Sequence, residues 1–333
     1  MRLLPVALIG AGIAAMIALV WRLGAEAVLR SLVAIGPLGF ASVCLIHTAL
    51  IAAMGLAWSV LLPGTRPWVA VWGRFVRDSG SEVLPLSQVG GYLLGTRAVA
   101  LYGVPATRGV ASTIVDVTLE FLGQLAYVAL GLLWLIHLHD KAIPPWIVAA
   151  GLALACGLGT LFVVLQRHGM RHAHRVAGIL GRGWAERTAA GATALYEALD
   201  AIYRRGGRVR ASLAIHFACW VVSASEIWVA LWFAGQPIPY GAALVIESLV
   251  YALRTAAFVV PNAMGVQEGA YILLGAAFGL GAEMALALSL LKRARDLVIG
   301  LPVLALWQAI EGGRLSRRMA TRPAPRRRGV TLD

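Results

Sequence analysis

The chain is organised around apolar runs of bilayer-crossing length. Near 3–22, 38–62, 107–137, 144–166, 209–234 and 282–308 the sequence stays predominantly apolar. A helix needs about 20 such residues to traverse roughly 30 Å of hydrocarbon. Inside hydrocarbon each backbone N–H and C=O must find its partner within the protein, so runs of this length are helices. The expected fold is therefore an all-α, polytopic integral membrane protein with about six full spans. Composition agrees, since 59% of the 333 residues are hydrophobic and 14% are charged, which leaves no room for a large soluble enzyme. The run from Leu3 to Val20 is too long for the apolar core of a cleaved leader and is expected to remain as a span.

Two more segments, 67–104 and 239–279, are apolar enough to enter the membrane but are broken in the middle. The first carries Pro85-Leu-Ser-Gln-Val-Gly90-Gly91 and the second Pro261-Asn-Ala-Met-Gly265. Freed backbone groups are tolerated at membrane depth only where protein or a watery cavity satisfies them. Each segment is expected to be a re-entrant hairpin, with Pro85 and Gly90 at one tip and Pro261 and Gly265 at the other.

The net charge of +13 does not point to nucleic acid, because the basic residues cluster between spans and at the C-terminus. Positive-inside sorting accounts for them. Residues 167–210 carry nine arginines against Glu186, Glu197 and Asp200, and the tail carries Arg314, Arg317, Arg318, Arg322 and Arg326-Arg327-Arg328. Both are expected to be cytoplasmic, as is the N-terminus. The first hairpin then dips in from the cytoplasmic side and the second from the outer side. The link from Arg22 to Arg30 falls outside, a mild violation of the charge rule that Glu26 partly offsets.

Pro85 and Pro261 are 176 residues apart, and the same offset brings Tyr102-Gly-Val onto Phe278-Gly-Leu and Glu120 onto Asp296. At an offset near 170, Trp58 meets Trp228 and His47 lies near His216. Span, broken hairpin and span recur over 38–137 and 209–308, and the single span at 144–166 turns the second copy upside down. Inverted repeats around broken helices are typical of secondary transporters, with the site near the midplane where the breaks meet. The rival reading is that two Gly-rich apolar segments align by chance. The whole is expected to be one transmembrane domain, 1–313, with a cytoplasmic segment at 167–208 and a disordered basic tail at 314–333.

An ionisable side chain in mid-span costs about 2.5 to 3.5 kcal/mol on insertion scales, so it needs a partner or a cavity. The span 282–308 holds Lys292, Arg293, Arg295 and Asp296, and 107–137 holds Asp116 and Glu120 at i, i+4 on one helix face. The hairpins add Arg74, Arg77, Asp78, Glu82 and Arg97 in the first and Glu247, Arg254 and Glu268 in the second, while Glu226 lies in the span 209–234. Two readings stand. The acids of one span could pair with the cations of its repeat mate and staple the halves together. Alternatively the groups line a hydrated cavity in which Arg77, Arg97, Arg254, Lys292, Arg293 and Arg295 hold an anionic head group, with Asp116, Glu120, Glu268 and Asp296 balancing them.

Val260-Pro-Asn-Ala-Met-Gly-Val-Gln-Glu268-Gly, followed by Gly279-Leu-Gly281 and Arg293/Arg295, resembles the second-half signature of the lysylphosphatidylglycerol synthase transmembrane family. Arg77, Pro85, Gly90 and Arg97 form the first-half counterpart. Within the family the chain is most similar to hopanoid biosynthesis-associated membrane proteins. The resemblance implies a flippase-like membrane part of the bacterial inner membrane, with lipid synthesis residing in a separate soluble domain that this sequence does not contain. It places Pro261, Gly265 and Glu268 at the outer hairpin tip and Arg293 or Arg295 on the facing helix. Val83-Leu-Pro-Leu-Ser-Gln-Val-Gly lacks the tight Pro-Gly turn common in the family's first half.

Cys44, Cys156 and Cys219 lie in apolar runs and form no CxxC, so they are expected to be core residues. His137-Leu-His139-Asp140 and His168 through His174 lack the further ligands at set spacing that a metal needs. No cofactor is expected. Residues Ala185 to Tyr203 have apolar residues near helical spacing, as an amphipathic helix on an anionic leaflet would. Transport of a phospholipid, hopanoid or related amphiphile is the leading expectation, with membrane lipids as partners and no nucleic acid. An integral enzyme using Asp116, Glu120 or Glu268 on a lipid head group is the alternative, together with an accessory subunit among lipid-biosynthesis enzymes; an oligomer is compatible with any of the three.

Overall fold

A computed structural model describes residues 21–22, 24–84, 87–138, isolated positions between 150 and 164, 182–257 and 260–320. The expected spans at 3–22 and 144–166, Pro85, Cys156, His168 through His174 and the tail beyond 320 fall wholly or mostly outside those residues. The described chain is helical, with no strand. In order it forms α1 (Ala25–Leu61), α2 (Pro67–Val83), α3 (Ser87–Ala100), α4 (Ala106–Leu138), α5 (Arg182–Tyr203), α6 (Gly206–Ser223), α7 (Ser225–Phe233), α8 (Tyr240–Ala256), α9 (Val266–Ala277) and α10 (Ala282–Ala320). Among the described residues four stretches are long and apolar enough to cross a membrane: α1, α4, α6 continuing into α7, and Ala282–Arg314 of α10.

The first of these begins earlier than expected. The stretch after Arg22 is helical from Ala25, with Val28 and Ile35 buried. Its polar residues are accommodated on the surface, where Arg30 pairs with Glu26 one turn away at 2.9 Å. The helix breaks at Gly36, whose φ of 68° suits glycine, directly before Pro37, which has no N–H to donate to a preceding turn.

The two broken segments each resolve into a pair of short helices. α2 opens on Pro67, where the missing N–H costs nothing, and stops at the extended Leu84. α3 then packs along α2 at close range. Gly91 and Gly95 make this approach feasible: a Cβ on Gly91 would run into Ser81 and the Arg77 carbonyl, and one on Gly95 would lie 2.7 Å from the Arg77 Cβ. Small residues one turn apart are what lets membrane helices close on each other, since lipid tails supply little hydrophobic drive between helices. The α8/α9 pair is separated by a short 3-10 turn at Pro261–Ala263, in which Asn262 and Ala263 both take positive φ. The Glu268 carboxylate accepts the Gly265 backbone N–H at 2.8 Å and caps the start of α9.

α2 also packs on α1 and α10, α8 on α4, and α6 between α1 and α4. Ile35, Val43, Ile227, Ile246, Tyr271 and Leu288 join α1, α7, α8, α9 and α10 in one apolar core. Trp58, Val69 and Val99 join α1 to α2 and α3. Facing outward, Leu45, Leu93 and Leu273 are about 70% exposed, as expected of a chain whose surroundings are hydrocarbon.

Candidate functional site

On α2, Arg74, Arg77 and Asp78 fall at i, i+3 and i+4 and so share a face, as do Asp116 and Glu120 on α4. The two faces meet. Arg74 grips Glu120 through two parallel hydrogen bonds of 2.9 and 2.6 Å and donates its Nε to Asp78 at 2.7 Å. Arg77 donates to Asp116 at 2.6 Å and also bonds Glu120. His216, on α6, sets its Nε2 3.0 Å from the other oxygen of Asp116. The Arg77 guanidinium lies over the Tyr92 ring, 4.9 Å from its centroid. Asp116 and His216 have no exposed surface.

A second cluster forms around α10. Lys292 donates to Glu247 of α8 at 2.6 Å and stands 3.3 Å from Glu226 of α7. Arg295 pairs with Glu226 and with Asp296, the latter at 2.6 Å. Tyr271 of α9 donates its hydroxyl to Glu247. His47, on α1, places Nδ1 2.9 Å from Glu226 and Nε2 3.8 Å from Asp296.

Both clusters thus contain two cations, three carboxylates and one histidine. Each is one positive charge short of balance while its histidine is neutral. The bidentate Arg74–Glu120 fork and the shared carboxylates give every buried charge a hydrogen-bonded counterpart, which is what makes ionised groups tolerable away from water.

A third group lies where the two broken helix pairs meet. Arg254, near the end of α8, donates to Glu82, near the end of α2, at 3.0 Å, and to the Asn262 side-chain oxygen at 3.3 Å. The Asn262 amide donates to the Glu82 carbonyl at 2.9 Å. Beside them Arg293 donates to Glu268 at 2.6 Å, and Ser289 donates to the same carboxylate oxygen at 3.0 Å.

Of the residues read from sequence as lining one site, the structure distributes Arg77, Asp116 and Glu120 to the first cluster, Lys292, Arg295 and Asp296 to the second, and Arg254, Glu268 and Arg293 to the third. Arg97 lies apart, half exposed, and pairs with Glu311 of α10 at 2.6 Å. Gly90 sits inside α3 rather than in the break, and Gly265 stands at the start of α9. Pro261 opens the 3-10 turn. Of the two readings, the one that pairs α4 acids with α10 cations is not what the structure has, because each set meets nearer partners: the arginines of α2 for Asp116 and Glu120, and Glu226 and Glu247 for Lys292 and Arg295. Sequence reading did not place His47, His216, Asn262, Ser289, Tyr92 or Tyr271 in a site. The signal available was their polarity within apolar runs, and for the two histidines their near-alignment at a sequence offset of about 170. Among the described residues no group of three or more His, Cys, Asp or Glu could hold a metal ion.

The family model described as the lysylphosphatidylglycerol synthase TM region matches residues 3–303. No curated protein and no solved structure matches the chain.

Proposed function

The chain belongs to the lysylphosphatidylglycerol synthase TM region family, membrane proteins of lipid metabolism or transport, and from that premise we propose that it is a lipid flippase. On this reading it moves a phospholipid, hopanoid or related amphiphile across a bacterial inner membrane, with both termini cytoplasmic, and leaves head-group chemistry to other proteins. The observation that carries it is the meeting of two broken helix pairs at Glu82, Arg254 and Asn262, flanked by two ion-pair clusters of the same make-up.

An inverted repeat of 38–137 and 209–308, with α2/α3 and α8/α9 as its re-entrant hairpins, accounts for that arrangement. In each half the first helix of the broken pair is bonded to the last span, α2 to α4 and α8 to α10, with the signs of charge exchanged. The first span of each half sends its histidine into the cluster of the other: His47 to Glu226, and His216 to Asp116. Such reciprocity is what a twofold-related pair of halves produces, and transporters of this architecture bind cargo where the breaks meet. In the conformation described the clusters are closed. Parting of the Arg254–Glu82 contact would open a charged path at mid-depth, in which Arg254 and Arg293 could hold a phosphate while the tails remain in lipid.

The test is transbilayer movement in liposomes holding the purified protein, with head-group accessibility of labelled phosphatidylglycerol and a labelled hopanoid followed over time. Movement faster than in empty vesicles, and altered by Arg254→Gln, is expected. If intact wild type accelerates neither lipid, the flippase reading fails and an enzyme or an accessory subunit takes its place.

A further inference from the structure

A separate groove opens where α1 ends and α4 begins, roofed by α5 and the first turn of α6. It has a volume of about 810 Å³ and is bordered by a smaller one of about 400 Å³, with Gly64, Pro105 and Arg108 common to both. Its inner wall is apolar, including the buried Leu61 and Ile202. Its rim is cationic. Arg108, Arg205 and Arg208 line the larger space and Arg66 the smaller, against one acid, Glu197.

These arginines differ from those of the clusters. Arg74, Arg77, Arg254, Arg293 and Arg295 each have a carboxylate partner. Among the described residues, none of the four groove arginines has a carboxylate within 4.0 Å; Arg108 donates to the Pro63 carbonyl and Arg208 reaches the Val60 carbonyl at 3.5 Å. The first turn of α4, with Thr107 on the groove wall, adds backbone N–H groups that have no partner within the helix and favour an anion.

Depth decides what the anion is. The groove lies at the ends of two membrane-length helices, α1 and α4, and Trp68 and Tyr102 sit edge to face at 4.7 Å in the wall of the smaller space. Amphipathic aromatics at a span's end mark head-group level. A groove at that level, cationic at the rim and apolar within, matches a glycerophospholipid with a negatively charged head group. We propose that this groove binds the phosphate of an anionic phospholipid, with Arg108 central and Arg205 and Arg208 closing over it, and the glycerol and first acyl carbons against Leu61 and Ile202. None of these residues belongs to the ion-pair clusters, so the site stands whether or not those clusters carry lipid across.

The test uses the full chain purified in neutral detergent, titrated with dioleoylphosphatidylglycerol, dioleoylphosphatidylcholine and glycerol 1-phosphate, with binding read by native mass spectrometry and thermal shift. Wild type and an Arg204→Gln/Arg210→Gln control, whose altered residues do not line the groove, should bind phosphatidylglycerol saturably. Arg108→Gln/Arg205→Gln/Arg208→Gln should bind it at least about tenfold more weakly, given the usual contribution of a basic side chain near an anionic lipid. Equal affinity in the triple variant, or phosphatidylcholine binding as tightly as phosphatidylglycerol, would overturn the proposal. Glycerol 1-phosphate binding as tightly as the lipid would overturn the lipid assignment in favour of a soluble phosphate ester. Should the triple variant not fold, the salt response of wild type decides: affinity falling as sodium chloride rises supports the site, and indifference to salt refutes it.

Discussion

The side-chain amide of Asn262 donates to the main-chain carbonyl of Glu82 at 2.9 Å, across 180 residues of sequence. It ties the turn of the second broken helix pair to the end of α2 in the first. Asn262 has φ 50° and Ala263 φ 46°, an unfavourable conformation for residues with a Cβ, held here by that hydrogen bond and by Arg254. Strain retained where two broken helix pairs meet marks the junction as a candidate functional element.

Arg254→Gln should separate stability from transport. The Arg254–Glu82 pair is partly exposed, so its loss should lower stability by about 1 kcal/mol or less. Lipid movement in liposomes should change by a larger factor than that figure explains. A parallel, small change in both would reduce the contact to an ordinary surface pair.

Asp116→Asn should be far more damaging than Asp78→Asn. Asp116 is fully buried and serves both Arg77 and His216, so the amide gives up the charge-assisted bond to Arg77 and turns a buried NH2 toward one of those two partners, at a cost of about 3 kcal/mol. Asp78 is partly exposed and pairs with Arg74 along the helix, worth well under about 1 kcal/mol. Thermal midpoints in detergent measure the difference, and equal losses would mean that water reaches Asp116.

Gly91→Ala should destabilise by about 1–3 kcal/mol, because its methyl group would meet the Arg77 carbonyl, which is backbone and cannot swing aside. Gly269→Ala, in α9 with open space at its Cβ position, should be neutral or gain up to about 1 kcal/mol from helix propensity. Both are read by unfolding in detergent. A tolerated Gly91→Ala would show that α2 and α3 can move apart at no cost.

His47→Ala and His216→Ala should each destabilise, and their effects should add within about 0.5 kcal/mol, since the two rings share no acid partner. Transport, by contrast, should be lost in either single variant if both clusters must rearrange. A double variant no less stable than the worse single one would indicate that the clusters are energetically joined.

Much of the site could be read one helix at a time. Asp116 and Glu120 share a face because four residues is about one turn, and Arg74, Arg77 and Asp78 do so for the same reason. The breaks at Pro85 and Pro261 stood out against their apolar flanks, and the structure has helices ending and restarting around both. The break at Gly36-Pro37 was also visible in the letters, yet the helix before it was not, because Glu26 and Arg30 imitate a polar link until their i, i+4 pairing is seen. Arg97 illustrates the opposite case. It has the same residue type and a similar setting to Arg77, and only the position of α10 makes it the partner of Glu311 rather than a member of a buried cluster.

The amino-acid sequence alone determined that the chain is helical, where its helices are interrupted, and that its embedded charges must be compensated. Each of these follows from local terms: backbone satisfaction in hydrocarbon, the missing proline N–H, and the cost of moving an ion out of water. Tertiary structure decided which charge meets which. Glu226 bonds His47 rather than His216, and Asp116 the reverse, because salt bridges act over about 4 Å, a distance set by the packing of α1, α6 and α7 and by no spacing along the chain.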